Sequence, residues 1–105
     1  MYSRKDNQNI VQELSKGICK VVFKKRTNGR FRSIFGTLDK RLIPGKYQKT
    51  LQVIFENYQN LDIIPIYDIK EKAWKSFYLV NLLNFIPEEK FKANSRKKEI
   101  EDESE

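Results

Sequence analysis

The dipeptide Asn28-Gly29 constrains this chain more than any other feature of its 105 residues. It lies between two segments rich in β-branched and aromatic residues, Ile18 to Arg26 and Arg30 to Leu38. Asn-Gly in that setting is the strongest short hairpin signal, because a type I′ turn needs positive φ at both central positions. A two-residue loop pairs Thr27 with Arg30, and the rest of the register follows. On one face Cys19, Val21 and Phe23 oppose Leu38, Gly36 and Ile34, an apolar set that belongs in a core. Further out Lys25 opposes Arg32, a like-charge pair that solvent or an anion must separate. On the other face Lys20, Val22, Lys24 and Arg26 oppose Thr37, Phe35, Ser33 and Phe31. That face alternates cations with aromatics, so it is neither a clean core nor a clean solvent face.

The hairpin also concentrates charge. From Lys16 to Lys49 eleven Lys and Arg residues meet one acid, Asp39, a local net charge of +10 in a chain whose total is +7. From Glu88 to the end five cations meet seven acids. Strong local basicity favours an anionic partner, with nucleic acid first. The candidate nucleic-acid contacts are Lys20, Lys24, Lys25, Arg26, Arg30 and Arg32 for phosphates, with Phe31 and Phe35 to stack on unpaired bases. Lys20, Lys24, Arg26, Phe31 and Phe35 share one strand face, and Lys25, Arg30 and Arg32 sit at the tip. The bland alternative packs Phe31 and Phe35 beneath another element while the Lys ends reach solvent. An acidic protein partner is the third possibility.

What is missing narrows the chemistry. There is no His, which removes Ser-His and Cys-His nucleophile pairs and His-based metal motifs. A single Cys19 leaves no intrachain disulfide and no Cys-rich zinc site. Asp62 and Asp68 would lie about 20 Å apart on a straight strand, too far for an acid-base pair. No Gly-rich phosphate loop occurs. The expectation is a non-catalytic protein with no metal and no cofactor. Tyr67-Asp68 invites comparison with peptide-binding SH3 domains, whose acidic loops read cationic ligands, but the basic hairpin argues against that ligand class. Asp68 is instead expected to cap the following turn.

The remaining segments fill out one domain. Residues 1–16 form a helical lead-in: residues 1–8 loose, then a short helix with Asn9 as cap, an Ile10–Leu14 apolar pair and Gly17 as stop. Residues 17–87 hold the strands. Within them, 46–60 is read as a helical insertion, since Leu51, Ile54, Phe55 and Tyr58 follow helical spacing. Leu61 to Ile69 is a strand whose Pro65 marks an edge or bulge. Trp74 to Val80 is another, with Phe77 and Leu79 inward and Trp74 half covered; Trp74 or Tyr78 as a stacking platform is the alternative. Leu82 to Ile86 is the last strand. Residues 88–105 are a charged, flexible tail. Five short strands joined by hairpins make a mainly β fold, a small five-stranded SH3-like or Sm-like barrel.

Two blocks carry a resemblance: VVFKKRTNGRFRSIFGTL, and IIPIYDIKEKAWKSFYLVNLLNF. In that order they resemble small bacteriophage proteins with an SH3-like barrel of WYL-like, Sm-type fold. The resemblance spans roughly residues 16–86, with 46–60 as a departure from the pattern. It implies a barrel fold, a viral origin and a link to nucleic-acid or nucleotide binding. The opening segment lacks the apolar core of a secretory leader, and no apolar run approaches the roughly 18 residues of a membrane span. The expected setting is therefore the cytoplasm, of an infected host cell for a viral protein. The expected function is binding of nucleic acid through the basic hairpin. The rival is a module that docks on an acidic host or virion protein through the 46–60 helix, with Phe55 and Tyr58 as anchors.

Overall fold

The structure, a computed structural model, describes residues 2–87. The tail expected over 88–105 lies outside the described residues. Seven regular elements follow in chain order: helix α1 (Asn7–Lys16), strands β1 (Ile18–Lys24) and β2 (Phe31–Thr37), helix α2 (Gln48–Asn57), and strands β3 (Ile63–Asp68), β4 (Ala73–Tyr78) and β5 (Leu82–Ile86). Short 3-10 turns flank them at Arg4–Asp6, Gly45–Tyr47, Tyr58–Asn60 and Leu79–Asn81. Among the described residues no helix is long and apolar enough to cross a membrane.

The five strands form one antiparallel sheet in the order β4-β3-β2-β1-β5. The end strands β4 and β5 are consecutive in sequence and joined by the single turn Leu79–Asn81. That connection requires the sheet to curl on itself. Its consequence is visible in the core: Phe23 of β1 and Phe77 of β4 stack with ring centroids 5.9 Å apart, although β2 and β3 lie between their strands. Val21, Ile34, Ile64, Ile66 and Leu82 fill the same interior, and Ile10 and Leu14 of α1 are fully buried in the cluster.

Close approach of β2 to this interior depends on Gly36. A Cβ there would meet Ile66 Cδ1 at 2.8 Å and Ile66 Cβ at 3.2 Å. The β2–β3 ladder is short, pairing only Gly36 with Asp68 and Thr37 with Tyr67. Pro65 therefore lies beyond that ladder, so its missing N–H leaves no bond unmade on the β2 side. The outer half of the β1–β2 hairpin likewise stands clear of β3.

The chain start is more ordered than the sequence predicts. The helix begins at Asn7, two residues before the expected cap Asn9, and a 3-10 turn precedes it. The reason is Asn7 itself. It is buried, and its Nδ2 donates to the carbonyls of Tyr58 (2.7 Å) and Leu61 (2.8 Å), clamping α1 to the exit of α2. Arg4 adds a two-bond pairing to Asp62, at 2.7 and 2.8 Å.

The 46–60 insertion contains α2, with Leu51 and Ile54 buried. Tyr47 seats its start against Tyr67 and Trp74, with the three ring centroids 5.6 to 5.9 Å apart. This explains why Trp74 is half-buried while Phe77 and Leu79 are in the core.

Candidate nucleic-acid interface

The hairpin exists, with a different turn. Lys24 pairs with Phe31, and Lys25 N–H donates to the Arg30 carbonyl at 2.8 Å. Arg26 to Gly29 thus form a four-residue loop in place of the expected two-residue one. Gly29 N–H returns to the Lys25 carbonyl at 2.9 Å, and only Gly29 takes positive φ, at 69°. A type I′ turn needs two such residues; a longer loop ending in one left-handed Gly does not. Asn28 serves otherwise, accepting the Arg30 N–H on its Oδ1 at 3.0 Å.

The longer loop moves every partner by two positions, which preserves which face each strand residue occupies. Phe35 now opposes Lys20, Ser33 opposes Val22, and Phe31 opposes Lys24. On the apolar face Gly36 opposes Cys19, Ile34 opposes Val21, and Arg32 opposes Phe23. The expected Lys25–Arg32 juxtaposition is therefore absent. Lys25 faces Arg30 across the loop, and Arg32 lies 3.7 Å from Glu71.

The candidate residues separate onto two faces. On the outer face Phe31 is 71% exposed and Phe35 42% exposed, each directly across from a lysine. Phe31 is thus open on the surface, while Phe35 is partly covered. Lys20 is half-buried along its stem, Lys24 is exposed, and Arg30 is exposed at the tip. Arg26 leaves this face. Its guanidinium carbon lies 4.4 Å from the ring centroid of Tyr78, at the end of β4.

The opposite face opens into a cleft of about 230 Å³ between the hairpin loop and β4. Phe23, Ile34 and Phe77 form its apolar floor. Lys25, Arg32 and Lys75 line it as well, and Arg26 and Tyr78 form one wall. Glu71 is the acid beside it. Lys75 Nζ lies 2.7 Å from Glu71 Oε2, and that hydrogen bond, with the charges of Lys75 and Arg32, holds the Glu71 carboxyl below its ordinary range. Among the described residues no ion pair engages Lys20, Lys24, Lys25, Arg26 or Arg30. Nor does any group of three His, Cys, Asp or Glu residues stand close enough to hold a metal.

Sequence reasoning missed Lys75; Tyr78, offered there only as an alternative stacking platform, has Arg26 laid over it. The signal for Lys75 was present: it alternates with Phe77, so an inward Phe77 brings Lys75 to the same side near the barrel mouth. Asp68 does cap its turn, accepting the amides of Lys70 and Glu71 at 3.0 and 3.1 Å. Of the two proposed protein anchors, Phe55 is 38% exposed, whereas Tyr58 is half-buried against the core.

A family model described as WYL_2, with an Sm-like SH3 β-barrel fold, matches residues 7–83. The chain belongs to the WYL_2 family. The match runs from the first residue of α1 into β5, so the 46–60 segment lies between its ends. The curled sheet in the order β4-β3-β2-β1-β5 suits that small-barrel description. No curated protein and no solved structure matches the chain.

Proposed function

We propose that this WYL_2 protein binds single-stranded nucleic acid on the outer face and tip of the β1–β2 hairpin, without catalysing a reaction. The observation that supports this best is the pairing of exposed rings with cations: Phe31 across from Lys24 and Phe35 across from Lys20. Stacking needs a ring open on one face, and phosphate contact needs a flexible cation within a residue's reach. The two ring-and-lysine pairs stand four residues apart on their strands, about 13 Å, with Ser33 across from Val22 between them. Duplex DNA offers no bases to stack on, so the same face would hold it through phosphates alone. The same reading makes the protein an accessory factor of phage type, working in the cytoplasm of an infected host cell.

The test replaces Phe31 and Phe35 together by Ala. The thermal midpoint of the double variant, measured alongside, separates loss of contact from loss of fold, and Phe31→Ala alone, at a ring 71% exposed, is expected to keep it. Affinity for a labelled single strand is expected to fall by about a hundredfold, each stacked base contributing roughly 1–3 kcal/mol. Unchanged affinity in the double variant would contradict the reading.

A second reading has one observation behind it. Val53 and Phe55 stand exposed on α2, at 57% and 38%. Together with the basic hairpin they would meet an acidic host or virion protein. Phe55→Ala with Val53→Ala would then lose a capture that survives nuclease treatment. Tyr58 contributes to the packing of α2 in this reading, not to the contact.

A further inference from the structure

Lys20 and Lys24 on the outer face, and Arg30 at the tip, enter no ion pair among the described residues. Four acids of the fold are committed elsewhere: Glu13 to Lys16, Asp39 to Arg41, Asp62 to Arg4 and Glu71 to Lys75. The sequence holds one concentrated source of opposite charge. From Glu99 to Glu105 five of seven residues are acids and none is a cation. Nowhere before residue 99 do even three acids fall within seven residues. Arg96, Lys97 and Lys98 precede the run, three cations for five acids, so they leave it a net negative charge.

The β5 ladder delivers this run to the basic face. Ile86 lies directly across from Lys20, and Lys20 lies directly across from Phe35. Residues directly opposite each other share a face of a sheet. The chain therefore leaves β5 beside the inner end of the ring-and-cation surface. Glu99 follows Ile86 by thirteen positions, a segment that spans at most about 45 Å. Along the hairpin, Lys20 is about 17 Å from the level of the Lys25–Arg30 pair. Every cation of the face is within reach. A tethered segment acts at an effective concentration of about a millimolar, so weak pairwise attraction suffices.

We infer that the acidic run 99–105 docks on Lys20, Lys24 and Arg30 of its own chain and competes there with nucleic acid. The docking does not depend on the proposed function; the competition rests on it. Carboxylates replace phosphates on the lysines, but the run brings no base for Phe31 to stack on. A single strand therefore displaces the run more readily than a duplex held through phosphates alone. The tail acts as a selectivity filter for unpaired strands.

The experiment uses the full chain and a neutralised variant carrying Glu99→Gln, Glu101→Gln, Asp102→Asn, Glu103→Gln and Glu105→Gln. These positions lie outside residues 7–83 of the family span. Carbodiimide crosslinking, which joins carboxylates to lysine amines at zero length, is mapped by mass spectrometry on a mixture of isotopically light and heavy chains. Links from 99–105 to Lys20 and Lys24 within one molecule, lost at high salt, support the docking. Links spread equally over Lys5, Lys49 and Lys70, links confined to Lys97 and Lys98, or links joining light to heavy chains overturn it. Anisotropy then reads the competition. At low salt the neutralised variant is expected to gain about tenfold for a duplex and about threefold for a single strand, both gains fading as salt screens the run. Equal gains for the two ligands, or none, overturn the filter. Hairpin links with no binding of either ligand by either chain uphold the docking and overturn the competition together with the proposed function. Strand binding that needs Phe31 and Phe35, with no hairpin links, overturns the docking and leaves the proposed function standing.

Discussion

The Arg26 guanidinium carbon sits 4.4 Å from the centre of the Tyr78 ring, tying the tip of the first hairpin to the far end strand of the sheet. Lys24, its neighbour, stays on the outer face across from Phe31. One side chain of the basic loop is thus committed to the fold's closure, while Arg30 is exposed at the tip. A double-mutant cycle with Arg26→Ala and Tyr78→Ala, read by chemical denaturation, is expected to give a coupling of about 0.5–1 kcal/mol. Strictly additive effects would show that the stack contributes nothing to holding the hairpin.

The two hairpins solve their turns alike. Each closes a four-residue loop whose last residue is left-handed: Gly29 at φ 69° and Lys72 at φ 54°. Glycine adopts that region freely, whereas an L-residue bears a cost of roughly 1–2 kcal/mol. Lys72→Gly is therefore expected to stabilise by about 0.5–1 kcal/mol, the relief being partly offset by a freer unfolded chain. Gly29→Ala is expected to destabilise by about 1 kcal/mol. Thermal midpoints moving in the same direction for both variants would contradict this geometry.

Gly36 has the tighter constraint. Ile66 is fully buried and β-branched, so it has little freedom to yield to a new methyl 2.8 Å from its Cδ1. Gly36→Ala is expected to cost about 1–3 kcal/mol. The companion change Ile66→Val removes the nearest atom and is expected to recover part of that loss in the Gly36→Ala background. A Gly36→Ala variant as stable as the parent would contradict the close packing of β2 on Ile66.

Acid is expected to weaken the fold through three carboxylates. Arg41 holds Asp39 below its ordinary pKa by hydrogen bonding, Arg4 does the same to Asp62, and Lys75 to Glu71. A lowered folded-state pKa contributes stability that is complete above the unfolded value and lost as pH falls through the folded one. Stability is therefore expected to be level above pH of about 5 and to decline from about pH 4 downward. Asp39 matters most, being 3% exposed in the side chain with Arg41 at 2.6 Å. Arg41→Ala is expected to lower neutral stability and flatten the decline. An unchanged slope in that variant would remove Asp39 from the acid transition.

Much of this fold is legible in the sequence, and its failures share one cause. Face assignment survived in both hairpins because side chains alternate with period two, whatever the loop length. Phe77 inward with Trp74 half covered, and the helix around Leu51 and Ile54, follow from local periodicity alone. The turn at Asn28-Gly29 was misread because local chemistry allows a two-residue and a four-residue loop alike. The β1–β2 ladder runs in the four-residue register, Lys24 pairing with Phe31 and Cys19 with Gly36. Asn7 was read as loose polar chain because its partners, the Tyr58 and Leu61 carbonyls, lie 51 and 54 residues away. The cleft was invisible for the same reason: Lys25, Arg32 and Lys75 are brought together by the curl of the sheet, which no local pattern encodes.

The central claim is that the exposed ring-and-cation face of the hairpin holds a single strand. Fluorescence anisotropy of a labelled single strand and a labelled duplex, across a salt series, tests it most directly. Engagement of Lys20, Lys24, Lys25 and Arg30 is expected to give log K against log salt a slope of about −2 to −3 for the single strand. The single strand is expected to bind the more tightly of the two at high salt, where stacking persists and phosphate contacts fade. Binding to neither at low salt, or a duplex preference that grows with salt, would contradict the account.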